Sequence, residues 1–116
     1  MADAGVTLQE ARAIIDAGNN LTAFARMDGA WLGSIDIAQG KAFTARSFDM
    51  PTSDLVEATQ PGAPLYGIEA SNEGHIIIFG GGIPLTRDGA VIGAVGVSGG
   101  EVDQDVAVCE AAVAGL

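Results

Sequence analysis

His75 is the single histidine of the chain, and so the one side chain that titrates near neutrality and the strongest nitrogen donor to a metal. It stands in the turn Asn72-Glu73-Gly74-His75, just ahead of the apolar run Ile76-Ile77-Ile78-Phe79. No serine or cysteine forms a nucleophile–base pattern with it, so it reads either as a solvated turn residue or as a ligand. Cys109 is also single, which excludes an internal disulfide and any multi-cysteine metal site. The triplet Gly80-Gly81-Gly82 offers backbone N–H groups to an anion, or a flat surface to a planar ligand. It lacks the lysine and hydroxyl of a phosphate loop, and its plainer role is a bulge that bends a sheet. Ser98-Gly99-Gly100 precedes a helix, but Glu101, Asp103 and Asp105 would repel an anion there, which leaves ordinary capping.

Basic residues are scarce enough to be informative. Arg26, Lys41 and Arg46 fall near one strand–loop–helix unit, where they either pair with Asp28, Asp36 or Asp49 or receive a ligand carboxylate. Asp28 and Asp36 flank a loop containing Trp31, yet nothing sets their separation, so a paired-carboxylate hydrolase does not follow.

The elements that must position these groups alternate between helix and strand. Thr7-Leu8-Gln9-Glu10 has the form of a capping box, and Leu8, Ala11, Ile14 and Ile15 recur at helical spacing. The pattern predicts a helix from Thr7 to about Ala17, ended by the turn Gly18-Asn19-Asn20. A strand is expected from Leu21 to Met27, closed by Asp28-Gly29. A second helix, capped by Ser34 and striped by Ile35, Ala38, Ala42 and Ala45, should end near Phe48. A short third helix is expected from Thr52 or Ser53 to about Thr59. Ile76 to Phe79 reads as a buried strand, and Arg87-Asp88-Gly89 as the turn of a hairpin whose second arm is Ala90 to Val97. That hairpin, Ile76 to Val97, is expected at the centre of the sheet. Gly93 and Gly96 within the second arm indicate close approach by another backbone. A last helix carries Val102, Val106, Cys109 and Val113 on one stripe. The fold class is α+β, an antiparallel sheet flanked by helices, in a single domain over 1–116.

Composition bounds the function. Fifteen acidic residues against five basic ones leave a net charge of −10, which argues against nucleic acid as a partner. No apolar run reaches the ~20 residues that span a bilayer, and no secretory leader is visible, so a cytoplasmic protein is expected. Aromatics are only 5 %, which leaves a thin core of Val, Ile, Leu and Ala in a short chain. Association of subunits would supply the missing burial, so a homo-oligomer is expected.

Two segments carry a resemblance. Ala25-Arg26-Met27-Asp28-Gly29-Ala30 with Gly33-Ser34-Ile35-Asp36-Ile37-Ala38 and Lys41-Ala42, then Phe79-Gly80-Gly81-Gly82-Ile83-Pro84-Leu85 with Gly93 to Gly100, resemble the HbpS-like, or GlcG, family. The resemblance runs from Asn19 to Ala114 and implies a profilin-like domain that assembles into homo-oligomers. It also implies haem or another tetrapyrrole as ligand. The candidate ligand-binding residues read from the chain itself are Arg26, Lys41, His75, Gly80, Gly81 and Gly82, and His75 is the one side chain nominated to ligate haem iron. Against the family pattern, one N-terminal strand looks absent, unless Ile14 to Gly18 serves as its end. The resemblance leaves three roles open: a small-ligand binding module, an enzyme acting on a small organic acid, and an accessory protein of small organic acid or diol catabolism.

Overall fold

The computed structural model describes residues 9–116; the proposed N-cap Thr7 and Leu8 lie outside the described residues. Four strands form one antiparallel sheet: β1 (Ala11–Asp16), β2 (Leu21–Arg26), β3 (Gly82–Arg87) and β4 (Ala90–Ser98), in the order β2-β1-β4-β3. Helices α1 (Gly33–Phe48) and α2 (Val102–Ala114) complete an α+β domain. Among the described residues, no helix is long and apolar enough to cross a membrane.

The helix expected from Thr7 to about Ala17 is instead strand β1 over its second half. Its apolar residues satisfy both periods, and the alternating one wins. Ala11, Ala13 and Ile15 are buried against α1, while Arg12 and Asp16 are exposed on the other face. Adjacent β-branched Ile14 and Ile15 favour the pleat, and β1 gains ladder partners on both sides. The residues that read as a possible strand end therefore fill a central place in the sheet.

The hairpin is β3 and β4, not Ile76 to Val97, and its first arm is an edge. Asp88 and Gly89 both adopt left-handed φ, of 53° and 82°, the geometry of a tight two-residue hairpin turn. Ile76 to Phe79 does not join the sheet. Ile76 is buried, but Ile77 N–H donates to Thr44 Oγ1 on α1 at 2.9 Å, so this run is held by a helix side chain rather than a ladder. The third helix is two short 3-10 turns, Thr52–Leu55 and Glu57–Thr59.

The two helices cover different residues of the sheet. Ala38, Ala42 and Ala45 of α1 lie on Ala11, Ala13, Ile15 and Ala94. Gly96 allows that approach, since a Cβ there would collide with the Ala38 carbonyl and the Ala42 amide. Cys109 of α2 packs with Val95 and Val97, joined by Ile14, Ile83 and Leu85. Successive residues of β4 therefore serve opposite layers. Ser34 does not cap α1: its hydroxyl is buried against Ser98 Oγ at 3.2 Å. Glu101, rather than Ser98, caps α2 through a reciprocal box with Gln104.

Candidate functional site

The six residues singled out from the sequence fall into three separate places. Lys41 goes inward. Its side chain is 0 % exposed, and Nζ donates to the Val97 carbonyl at 2.8 Å and to Asp105 Oδ2 at 3.1 Å. The Phe79 ring lies 5.0 Å from the same nitrogen. Burial lowers the lysine's affinity for its proton, and the charge of Asp105 works against that loss. Asp105 also accepts the Gly100 N–H, so one carboxylate ties α2, its preceding loop and α1 together.

The glycine triplet is part of that node. A Cβ on Gly81 would lie 2.6 Å from Lys41 Nζ and 2.7 Å from the Val97 carbonyl, and Gly82 abuts the Lys41 backbone and Thr52. Gly80 faces Val106, where a Cβ would be 2.6 Å from a methyl. Gly82 N–H donates to the buried Thr52 hydroxyl at 3.0 Å. The run is thus the space through which Lys41 reaches α2. Its backbone makes room for a protein ammonium, and the Lys41 ammonium is committed to Val97 and Asp105.

His75 occupies the second place, the rim of a cleft of about 290 Å³. Asp36, Gln39, Gly40 and Phe43 contribute one face of α1, at the spacing i, i+3, i+4, i+7 that aligns side chains along a helix. Ile15 and Leu21 form the apolar side, and Asn19 closes the turn between β1 and β2. The His75 ring is 5.4 Å from that of Phe43, tilted by 55°, and its side chain is 51 % exposed. Glu73 Oε1 stands 3.9 Å from Nε2, too far for a hydrogen bond. Glu73 and Asn72 both hold left-handed φ, at 57° and 51°, so the turn that presents His75 is conformationally costly. Gly40 is required here, because a Cβ would press on Ile77 at 2.7 Å.

Arg26 stands in the third place, at the end of the exposed edge strand β2 and opposite Ala11. Cys109 is no nucleophile: burial pushes its thiol up to about 12, and Sγ donates to the Val95 carbonyl. Among the described residues, no group of three or more His, Cys, Asp or Glu is placed to hold a metal ion. Sequence reasoning missed the cleft walls Phe43, Gln39, Ile15 and Leu21. The helical spacing around Asp36 was a usable signal for the first two, whereas β1 and β2 come alongside only through the sheet.

Comparison with known proteins assigns this architecture. A family model described as haem degrading protein HbpS-like matches residues 4–114. An uncharacterized 15.0 kDa protein in the dhaT-dhaS intergenic region of Citrobacter freundii is 47 % identical over 100 residues, covering 86 % of this chain and 70 % of that one. The corrinoid adenosyltransferase PduO of Citrobacter freundii is 43 % identical over 103 residues, which are 89 % of this chain but only 31 % of PduO. The crystal structure of a PduOC:heme complex superposes with a TM-score of 0.91 at 40 % identity, covering 94 % of this chain and 79 % of that chain. The chain therefore belongs to the HbpS-like family.

Proposed function

We propose that this chain is a haem-binding module, with haem or another tetrapyrrole seated in the cleft between α1 and the β1–β2 corner. The observation that carries the reading is the His75 imidazole, half-exposed on the rim of an apolar-sided cleft and free of any hydrogen-bonded carboxylate. Support also comes from the heme complex of the PduOC relative and from the family.

The residues fit such a ligand in part. Imidazole is a strong axial donor, and Ile15, Leu21 and Phe43 provide the apolar wall that a macrocycle edge needs. The volume is at the lower end of small-ligand sites, so the cleft takes one side of a disc and leaves the rest at its mouth. Asp36 is the one acidic side chain among the cleft-lining residues, and it would turn propionates away from the helix wall. Bound haem would supply an iron centre, which His75 would hold while Ile15, Leu21 and Phe43 would shield one edge from water. The Phe43 ring limits rotation of the imidazole.

A titration with hemin tests the reading. Saturable growth of a Soret band near one equivalent is expected, with a low-spin spectrum that His75→Ala abolishes. A featureless titration would sink the proposal, and an unaltered low-spin spectrum in His75→Ala would move the ligand elsewhere.

A further inference from the structure

We infer that the molecule holds a second small-ligand site, on the opposite face of the sheet from the His75 cleft, which takes a monocarboxylate with an apolar body. Nothing in it depends on the haem reading. The site is a cavity of about 320 Å³ between the outer end of the β3–β4 hairpin and the end of α2. Ile14, Leu85, Ile92 and Val113 supply apolar walls, and Arg87 stands among them.

Strand alternation and one irregularity build this space. Leu85 on β3, Ile14 on β1 and Val113 on α2 pack against Val95, Val97 and Cys109, so they belong to the α2 layer. Arg87 lies two residues beyond Leu85 on the same strand, and therefore on the same face. The ladder pairs Leu85 with Gly93 but Thr86 with Val91, which leaves Ile92 as the extra residue of a bulge. A bulge bends its strand, and this one comes where α2 runs out at Ala114. Ile92 stays 40 % exposed at the rim.

Charge identifies what fits. Of the five basic residues, Arg12, Lys41 and Arg46 are paired with Glu10, Asp105 and Asp49. That leaves Arg26, on the exposed strand β2, and Arg87, each without an ion pair among the described residues. No acidic side chain lines the Arg87 cavity. Asp16, two residues beyond Ile14 on β1, is committed to its own turn, where it accepts N–H groups from Gly18 and Asn20. Nor is Arg87 needed at the end of α2, because the carbonyls of Ala111, Ala112 and Val113 already accept from Gly115 and Leu116. A guanidinium with a free fork matches a carboxylate bidentately, and the walls beside it match an aliphatic chain. A polyanion fits less well, since the cavity offers one cation and the chain carries −10. The volume lies at the lower end of small-ligand sites, which suits a short aliphatic acid.

Octanoate is the probe, titrated calorimetrically into the full chain below its micellar range, with octanol as the uncharged analogue. Wild type should bind octanoate saturably at one site, and octanol about tenfold more weakly. Arg87→Ala should lose about tenfold in octanoate affinity with little change for octanol. Ile92→Asp, a change at an exposed position, should abolish binding of both while the circular dichroism spectrum stays that of wild type. Methyl NMR shifts on addition of octanoate should be confined to Ile14, Leu85, Ile92 and Val113. Shifts centred on Ile15 and Leu21 would put the ligand in the His75 cleft and overturn the second site. Absence of saturable binding to wild type, or equal octanoate affinity in Arg87→Ala, would overturn it as well. Hemin titration of Arg87→Ala is expected to match that of wild type, and failure of wild type to bind hemin would refute the haem reading alone.

Discussion

Lys41 is the side chain whose role changes most on folding, from a candidate carboxylate receptor to the centre of a buried ion pair. Removing one partner of such a pair leaves the other charge without compensation. Lys41→Met is expected to destabilise the fold by about 3–5 kcal/mol, and Asp105→Leu by a similar amount. The double variant should recover most of that loss, because no buried charge is left; denaturant unfolding of the three proteins measures it. Two titrating residues give opposite pH effects. Asp16 accepts N–H groups from Gly18 and Asn20 at 2.9 Å each, which lowers its carboxyl below 3.8. Its stabilising contribution is present above pH 3.8 and is lost as pH falls through the lower folded value. Cys109 behaves in the reverse sense. The folded protein keeps a thiol proton that the unfolded chain releases near 9.0, so its stabilising contribution is lost as pH rises from there toward about 12. In Cys109→Ala the decline between those pH values should be shallower than in wild type, and in Asp16→Ala the acid limb should flatten; equal slopes in variant and wild type would contradict both assignments.

At the scale of elements, the sheet's order decides which segments are protected. β1 and β4 have partners on both sides, while β2 and β3 have one each. Hydrogen exchange should therefore be slowest in β1 and β4, faster in β3, and fastest among the strands in β2. Protection in β2 equal to that of β4 in a monomeric protein would contradict the order. The contact between α1 and β4 is equally specific. Gly96→Ala places a methyl against the helix backbone rather than against a flexible side chain, and should cost about 1–3 kcal/mol or more by thermal unfolding. Gly89→Ala meets no neighbouring atom, and its smaller penalty, about 1 kcal/mol, comes from its left-handed backbone alone.

For the whole molecule, the core is shallow. Seven of its buried apolar members form one cluster in which only Ile15 is larger than alanine. Larger apolar side chains, Leu21, Phe24, Trp31 and Leu32 among them, remain on the surface. A fold arranged this way gains stability when a second chain covers that surface. Its unfolding midpoint is expected to rise with protein concentration, as mass action requires of a native state made of several chains. A midpoint constant over a hundredfold range of concentration, with a monomeric mass by light scattering, would contradict this.

Local signals in the chain were sufficient for much of this architecture. The alanine stripe from Ala38 to Ala45 specifies α1, Asp88-Gly89 specifies a hairpin turn, and Gly93 and Gly96 mark close approach, because each depends on neighbours a few residues away. The identity of β1 was not legible in the same way. Ala11 to Ile15 satisfies helical and alternating periods alike, and only pairing with β2 and β4 resolves the choice. The placement of Lys41 and His75 was equally beyond local reading. They are separated along the chain by more than thirty residues, and Lys41 meets a carboxylate sixty-four positions away. Scarcity of basic residues made Lys41 noticeable, but its environment is set by α2 docking on the sheet. That docking turns Lys41 inward to an ion pair, whereas His75 stands at the rim of a cleft built by α1 and the β1–β2 corner.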